Sequence, residues 1–305
     1  MLYKYRSIND WTKELFKSQK VWLAKPSTLN DPFECRIPKY SKSEIQAHAE
    51  EKMKNQIVGF IMSMPLSDGD NFLLGRKKGS DFYGKNEREV RILSKRIRRA
   101  KDIPQKYRLI NNFLKGVGLE GMSSPYDQIN SLNDTLSSVG VFSLSEDPLN
   151  MLMWSHYGSN HEGIAIGFEK NDKLANEEYC QSVTYEKELP KVDITKGIMN
   201  GVSFFAGGQR PQNHVQLKDP QIQRVLLTKT ADWAYEREWR YFEPNHGSFD
   251  FPGKMTEVIF GLKCSQAEID TIVELCRENF SHVVTFKKVV NANGSSKLQL
   301  KPMKL

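Results

Sequence analysis

The stretch Trp233–Arg240 constrains this chain most strongly, because two tryptophans, a tyrosine, two arginines and two glutamates fall within eight residues. Aromatic side chains suit a pleated surface, so this composition favours a strand. In a strand, Glu236 and Glu238 point to the same face. Two carboxylates on one face repel each other unless something uses or neutralises them, and such pairs are typical of acid/base and glycosyl chemistry. The alternative is a solvated glutamate pair bridged to Arg237 and Arg240.

The composition indicates a globular protein with reduced cysteines. The chain has 305 residues, 39% of them hydrophobic, which is enough for one large domain or two ordinary ones. Its four cysteines are far apart and form no C-x-x-C, which argues against a disulfide framework or a zinc site. No apolar run is long enough to span a membrane, and Met1–Arg6 lacks the apolar segment of a signal peptide. We therefore expect a soluble, cytoplasmic protein with no membrane partner.

Two elements near the amino terminus carry candidate residues. Leu2–Arg6 is predicted to form the first strand, with Tyr3 and Tyr5 on one face. The later run Asn30–Glu34 contains Asn-Asp-Pro, which is typical of a turn because Asn and Asp bond their own backbone and Pro fixes the turn. A turn this polar can also line a pocket, so the sequence makes Asn30 and Glu34 candidates for a role beyond the turn.

A basic block is concentrated in one part of an otherwise balanced chain. Residues 76–108 hold thirteen Lys or Arg against four Asp or Glu, a net charge of +9, whereas the whole chain carries +7. Residues 42–137 are predicted to be a mainly helical insertion that carries this block. Its helix from Asn86 to about Ala100 has a cationic face, which favours a polyanionic partner such as nucleic acid. The face comprises Arg88, Arg91, Lys95, Arg96, Arg98 and Arg99. For any single residue of that face, a solvated surface position is the alternative.

Polar and aromatic side chains follow a strand in the middle of the chain. Gly140–Ser145 is predicted to be a strand with Ser143 and Ser145 on one face. A short helix, Met151–Gly158, follows it, and Gly163–Phe168 has the composition of a buried strand. This arrangement puts hydrogen-bond donors and aromatic faces at one strand end. They are supplied by Trp154, His156 and Tyr157.

Several common catalytic and binding motifs are missing. There is no G-x-G-x-x-G and no phosphate-binding P-loop, so the usual routes to nucleotide binding are excluded. There is no G-x-S-x-G, which makes Ser143 and Ser145 poor candidates for a hydrolase nucleophile. No H-E-x-x-H or C-x-x-C occurs, and we therefore expect no metal site.

The order of these segments resembles a bacterial family of domains of unknown function, DUF2971. The resemblance rests on Leu2–Arg6, Leu29–Glu34, Phe142–Ser145, Met153–Phe168 and Tyr235–Arg240, which occur in that order. It covers roughly residues 1–35 and 140–262 and leaves the helical insertion outside. The name of this family implies no activity.

The chain is more distantly similar to the ADP-ribosyltransferase fold, including its DNA-modifying toxin branch. That fold shows a basic or histidine residue on the first strand, a Ser-x-Ser-like strand and a late E-x-E pair. The matching positions here are Arg6 (or Lys4), then Ser143 and Ser145, then Glu236 and Glu238.

The resemblance implies an enzyme that transfers ADP-ribose from NAD. Glu238 would be the catalytic glutamate, Glu236 would prepare the acceptor, and Arg6 would hold the dinucleotide phosphates. NAD would be a substrate, and a role in bacterial toxicity or anti-phage defence would follow, with an antitoxin as a conceivable partner. Further residues assigned to NAD binding are Tyr5, Asn30, Ser143, Ser145, Trp154, His156 and Tyr157.

We expect a single α+β domain spanning residues 1–305, with mixed or antiparallel strands in an ADP-ribosyltransferase-like split sheet. The leading functional hypothesis is an NAD-dependent ADP-ribosyltransferase that modifies a macromolecule, with nucleic acid favoured by the basic insertion. One alternative is a protein that binds nucleic acid without catalysis. Another is a nuclease in which Asp31, Glu34, Glu236 and Glu238 surround Mg²⁺.

Overall fold

The computed structural model of this chain describes residues 1–37, 40–52, 87–116, 125–192, 200–203, 212–215, 217–292 and 297–304. Asn293-Gly294, a dipeptide that predicts a hairpin turn, lies outside these residues. No helix among them is long and apolar enough to cross a membrane.

The chain divides into two compact units. The first comprises Met1–Ile37, Asp134–Val192 and Gly201–Leu305, and the second comprises Pro38–Asn133 and Asp193–Asn200. The second unit overlaps with residues 42–137, the helical insertion expected from the sequence.

The described elements alternate between strands and helices in the first unit and are mainly helical in the second. The strands are β1 (Leu2–Arg6), β2 (Lys20–Leu23), β3 (Gly140–Ser145), β4 (Ile164–Phe168), β5 (Cys180–Ser182), β6 (Thr184–Glu186), β7 (Asn200–Ser203), β8 (Gln212–Val215), β9 (Thr228–Thr230), β10 (Glu238–Glu243), β11 (Gly247–Asp250), β12 (Met255–Phe260), β13 (Thr285–Asn291) and β14 (Leu298–Pro302). The helices are α1 (Asp10–Ser18), α2 (Lys42–Lys52), α3 (Glu87–Arg99), α4 (Ile103–Gly116), α5 (Pro125–Ser138), α6 (Met151–His156), α7 (Asp172–Ala175), α8 (Pro220–Leu227) and α9 (Gln266–Asn279). Two 3₁₀ helices span Pro26–Thr28 and Ala231–Glu236.

An eight-stranded mixed sheet forms the centre of the first unit. Its strand order is β14-β13-β12-β4-β1-β3-β10-β5. All neighbouring strands are antiparallel except β12 and β13, which are parallel. Parallel neighbours need a crossover connection, and α9 supplies it. The expected α+β class with mixed strands is therefore confirmed.

The period-2 patterning of the strands puts apolar side chains on both faces of the sheet. On β1, Leu2 belongs to one hydrophobic cluster while Tyr3 and Tyr5 belong to another. The larger cluster includes Leu15 and Phe16 of α1 together with one side of α9. The smaller cluster includes Met153 and Trp154 of α6. The sheet is consequently buried between α1 and α9 on one face and α6 on the other.

β1 and β3 are joined more loosely than their neighbours. They share one registered pair, Tyr3 with Ser145, whereas β1 pairs with β4 along all five of its residues. The Lys4 ammonium donates to the main-chain oxygen of Ser143 at 2.8 Å. The Lys4 side chain thus donates a hydrogen bond to β3 at a position where β1 and β3 no longer pair through their main chains.

Helix ends are stabilised by local side chains, as at the start of α9, where Ser265-Gln266-Ala267-Glu268 has the sequence of a capping box. The Ser265 hydroxyl accepts from the Glu268 main-chain N–H at 3.3 Å and donates to its carboxylate at 3.1 Å. Such a capping box satisfies donors that the helix cannot satisfy itself. At the start of α1, the Asn9 side chain accepts from the Thr12 N–H at 3.0 Å.

The sequence misjudged two segments near the centre of the chain. Residues 181–185 have the composition of a single strand, but they are divided between β5 and β6, which belong to different sheets. The sequence from Pro220 to Lys229 predicts one helix, but the helix ends at Leu227, and Thr228–Thr230 form β9 instead. β9 pairs in parallel with β6, a long-range contact that overrides the helical pattern.

Candidate functional site

Three strands that the sequence singled out lie side by side in the sheet. β3 is flanked by β1 on one side and β10 on the other. Ser145 is paired with Tyr3 of β1 and with Glu238 of β10, and Ser143 is paired with Arg240. Paired residues share a face of the sheet, so the Ser-x-Ser side chains lie on the same face as Glu238 and Arg240.

The acidic pair is not built as the sequence predicts. The expected strand begins only at Glu238, because Ala231–Glu236 is a 3₁₀ helix and Arg237 is left-handed with φ of 45°. Side chains hold the preceding turn: the Ser145 hydroxyl donates to the Glu236 carbonyl at 2.7 Å, and the Asn150 amide donates to the Tyr235 carbonyl at 2.7 Å. The prediction of alternating strand positions for the two glutamates is therefore wrong.

The two glutamates nevertheless converge on one cation, Lys229 of β9. The Lys229 ammonium lies 2.5 Å from Glu236 Oε2 and 3.4 Å from Glu238 Oε2. Lys229 and both glutamates are at most 4% exposed. The alternative of a solvated pair is wrong because both glutamates are buried and Arg237 binds Glu146, but the expected bridge to Arg240 is present at Glu238.

Arg240 and Glu34 complete this group of charges. Arg240 Nε donates to Glu238 Oε1 at 2.8 Å, Nη2 donates to Glu238 Oε2 at 3.1 Å, and Nη2 also binds Glu34. Nη1 donates to the Leu226 carbonyl at 2.5 Å. We call Glu34, Lys229, Glu236, Glu238 and Arg240 the buried ion cluster. With every member ionised, its three carboxylates and two cations leave one net negative charge.

Burial raises the carboxyl pKa of both glutamates of the acidic pair, but the net shifts of the two pKa values are opposite. Burial opposes ionisation of Glu238, but the charges of Arg240 and Lys229 outweigh it and lower its carboxyl pKa to about 2. For Glu236, burial dominates and raises the pKa above its ordinary value; Lys229 opposes this rise and the Glu238 charge adds to it. Glu238 is thus held ionised while Glu236 is the better proton acceptor, a separation typical of paired catalytic carboxylates.

A hydrogen-bonded chain connects Glu236 with the protein surface. The Tyr157 hydroxyl donates to Glu236 Oε1 at 2.6 Å, and the Asn30 amide donates to the Tyr157 hydroxyl at 2.6 Å. Glu236 is buried, Tyr157 is partly buried and Asn30 is exposed. Asn30 therefore belongs to the same network as the acidic pair.

The first strand carries two cations, Lys4 and Arg6, which alternate with Tyr3 and Tyr5 and therefore project from the sheet face opposite that of Ser145 and Glu238. Burial, and then the charge of Arg6, lower the pKa of the Lys4 ammonium to about 8, although Glu238 and Glu236 oppose the change. Arg6 is partly buried, and burial lowers the pKa of its guanidinium. Among the described residues, the Arg6 side chain has neither a hydrogen bond nor an ion pair.

Three residues assigned to NAD binding have their polar atoms occupied by the main chain. The Tyr5 hydroxyl donates to the Asp147 carbonyl at 2.6 Å, and Trp154 Nε1 donates to the Pro148 carbonyl at 2.9 Å. The Ser145 hydroxyl donates to the Glu236 carbonyl. All three side chains are buried. They support the site from within.

The other two assigned residues lie closer to solvent or to the acidic pair. The Ser143 hydroxyl lies close to the Glu238 carboxylate and helps to lower its pKa. His156 is exposed, and its Nδ1 lies 3.1 Å from the Tyr235 hydroxyl.

Lys229, Arg240 and Tyr185 were missed as site residues. The signal for Lys229 was weak: a single lysine follows the apolar run Val225–Leu227, and its main partner is seven positions away. Tyr185 accepts the Glu238 main-chain N–H at 2.8 Å, through a segment predicted only as a strand. The polar turn that contains Glu34 predicts a role for this residue, and the structure places it in the buried ion cluster.

The cationic helix belongs to the second unit. In α3, Leu93 and Ile97 are buried. Its described basic side chains are exposed, namely those of Arg88, Lys95, Arg96, Arg98 and Arg99. The side chain of Arg91 lies outside the described part of the chain.

The donor set does not favour a nuclease with Mg²⁺. Glu34, Glu236 and Glu238 direct oxygens at Lys229 or Arg240, whose positive charges repel a metal cation. Within the described ranges, no three His, Cys, Asp or Glu side chains are grouped so that they can hold a metal ion.

The matched family segment contains most of this site. Residues 153–241 match the family model described as protein of unknown function, DUF2971. The segment runs from α6 to the fourth residue of β10 and carries Tyr157, Lys229, both glutamates and Arg240. The resemblance to that family is thus confirmed for these residues. No curated protein and no solved structure matches the chain.

Proposed function

We propose that this protein, whose residues 153–241 match the DUF2971 family model, is an NAD-dependent ADP-ribosyltransferase that modifies a macromolecule. The observation that carries the proposal is the acidic pair: two carboxylates seven and nine positions after one shared lysine, with their pKa values displaced in opposite directions. Glu238 begins β10, which lies next to the Ser-x-Ser strand β3, and β3 lies next to β1 with its two basic residues; Glu236 ends the 3₁₀ helix that precedes β10. That arrangement supports the finer reading of the sheet as ADP-ribosyltransferase-like.

The charge of the cluster suits the cleavage of the nicotinamide–ribose bond. Breaking that bond creates an oxocarbenium-like centre with positive charge on the ribose. A preorganised negative charge stabilises such a centre without any reorganisation. Glu238, held ionised beneath the surface, is the source of this charge in our proposal. Tyr5, Ser145 and Trp154 keep the surrounding main chain in position.

The two basic residues of β1 suit the phosphates of NAD. The Arg6 guanidinium is partly buried and unpaired among the described residues, so an anion would gain a desolvated partner there. Arginine binds phosphate through two parallel hydrogen bonds, and a nearby ammonium such as that of Lys4 adds a second charge.

Nucleic acid is the acceptor class that the charge distribution favours. The exposed basic residues of α3 provide the sequence-independent attraction to phosphates on which binding to nucleic acid depends. A bacterial toxin or anti-phage role, with or without an antitoxin, agrees with such an acceptor.

Labelled NAD tests the proposed activity. We expect the wild-type protein to release nicotinamide and to transfer label to nucleic acid, and Glu238→Gln to lower both by about 100-fold or more, because the neutral amide no longer stabilises the oxocarbenium charge. The matched control is Glu243→Gln, which alters a buried glutamate on the same strand that binds Lys173. Label transfer by Glu238→Gln equal to that of the wild type would remove Glu238 from the mechanism.

Nucleic-acid binding without catalysis is the second candidate, and the exposed cationic side of α3 favours it. We expect the double reversal Lys95→Glu/Arg96→Glu to weaken binding and to reduce the steepness of log K against log salt, which is about 0.9 per phosphate contact. The control is Lys17→Glu/Lys20→Glu, which reverses two exposed lysines in the first unit. Salt titrations of a fluorescent duplex measure both. Equal losses for the two double variants would show that net charge alone, not α3, governs binding.

A further inference from the structure

We propose that Tyr157 relays a proton from the acceptor to Glu236 during ADP-ribose transfer, with Asn30 holding the tyrosine hydroxyl in position. This inference rests on the proposed function and assigns a catalytic role to the residue that connects the acidic pair with solvent.

The hydrogen bonds of Tyr157 already point in the direction that the relay requires. Its hydroxyl proton is donated to Glu236 Oε1 at 2.6 Å, and its lone pair accepts the Asn30 amide at 2.6 Å. An acceptor hydroxyl or amine that replaces or joins Asn30 would donate to the same oxygen. The proton acceptor, Glu236, is 3% exposed and is reached through the more exposed tyrosine.

The second oxygen of Glu236 is fixed by Lys229 at 2.5 Å. The carboxylate therefore cannot rotate away from Tyr157 without breaking a buried ion pair. Short hydrogen bonds on both sides make this a preorganised proton path, as general base catalysis requires.

The step balances in atoms and charge. A bond forms between the acceptor atom and the anomeric carbon of the NAD ribose, while the bond from that carbon to the nicotinamide nitrogen breaks. The electron pair of the broken bond goes to nicotinamide, which leaves neutral because it was cationic in NAD. The acceptor's proton moves to Tyr157 as the tyrosine's own proton moves to Glu236. Glu236 ends neutral, and the proton is later lost to solvent.

The protonation behaviour of the two residues agrees with a concerted relay. Burial, followed by the hydrogen bond to Glu236, raises the pKa of Tyr157, so a free phenolate is strongly disfavoured. The tyrosine must then pass its proton on as it receives another. The pKa of Glu236 is raised chiefly by burial, which makes its ionised form a stronger base. The charged or titratable groups that act on Glu236 or its network include Lys4, Tyr157, Tyr185, Lys229, Tyr235 and Glu238.

The test separates transfer to an acceptor from cleavage of NAD by water. We expect Tyr157→Phe to lower label transfer by about 100-fold, the range typical of a lost general base, and to lower acceptor-free nicotinamide release much less. Wild-type transfer should rise with pH as Glu236 ionises, through a pKa above its ordinary value, and Tyr157→Phe should lose that limb of the profile. Because Asn30 is exposed, Asn30→Ala should fold normally and show a smaller loss of the same kind.

The matched control is Tyr179→Phe, which removes the hydroxyl of a partly buried tyrosine whose ring lies near Lys173. Transfer by Tyr157→Phe at the wild-type rate, with an unchanged pH profile, overturns the relay. If Tyr157→Phe is unstable in thermal melts, the ratio of label transfer to acceptor-free nicotinamide release is measured for Asn30→Ala instead. A ratio equal to that of the wild type overturns the relay. If the wild-type protein does not cleave NAD, the proposed function itself is overturned. That result differs from NAD cleavage that Glu238→Gln abolishes and Tyr157→Phe retains, which leaves the proposed function in place.

Discussion

Replacing Arg240 by methionine is expected to lower the free energy of unfolding by about 3–5 kcal/mol, because it leaves carboxylates buried without their partner. Arg240 is completely buried and binds Glu238 through two nitrogens, Glu34 through one and the Leu226 carbonyl as well. Methionine is similar in length, so the loss of charge and hydrogen bonds dominates the change. Chemical denaturation of both proteins at neutral pH measures it.

Arg237→Met is the matched control for that experiment. Arg237 also pairs with a glutamate, but the pair to Glu146 lies at the surface, with the arginine side chain 58% exposed. Exposed ion pairs contribute about 0–1 kcal/mol, so this variant should be nearly as stable as the wild type. A destabilisation by Arg240→Met no larger than that of Arg237→Met would contradict a closed, desolvated ion cluster.

Replacing Trp154 by alanine is expected to cost about 3–5 kcal/mol of folding stability, the range for removing a large aromatic side chain from a core. Trp154 is fully buried, and its ring meets that of Tyr5 edge to face at 5.0 Å. Its Nε1 hydrogen bond to the Pro148 carbonyl is lost at the same time. Thermal and urea unfolding report the change.

Trp11→Ala provides the comparison, since Trp11 is 79% exposed and its removal should change stability little. The tryptophan variants also separate two roles. If the Trp154→Ala protein is folded and stable but has lost affinity for NAD, that result would support the direct contact between Trp154 and NAD that the sequence predicts. Loss of stability indicates a supporting role beneath the site.

Local patterning was sufficient for most individual elements. The alternation of Tyr3 and Tyr5 with their neighbours predicted β1, and the Ser265–Glu268 capping box predicted the start of α9. These signals depend on residues that are close in sequence. The mixed α+β class follows from the same local signals, because helical and strand patterns both recur along the chain.

The acidic pair shows where local patterning is insufficient. Glu236 and Glu238 do converge, but through a 3₁₀ helix and a left-handed Arg237 that Ser145 and Asn150 hold in place. Those donors are about ninety positions away, so no local pattern reveals them. Lys229 was concealed for a similar reason: its strand exists because it pairs with β6, whereas its own sequence continues a helical pattern. The strand order, on which the whole site depends, is likewise set by distant pairings.

The single registered pair between β1 and β3 has a mechanical consequence. On one side of it lie five strands, ending in β1, and on the other side lie three, beginning with β3. A small rotation about Tyr3 and Ser145 would leave every other ladder intact, since β1 is bonded to β4 and β3 to β10 along their lengths. Such a rotation would also strain the hydrogen bond from the Lys4 ammonium to the Ser143 main-chain oxygen, which spans the same boundary. The boundary between β1 and β3 is therefore the one with the fewest ladder pairs in this sheet, and a side chain reinforces it.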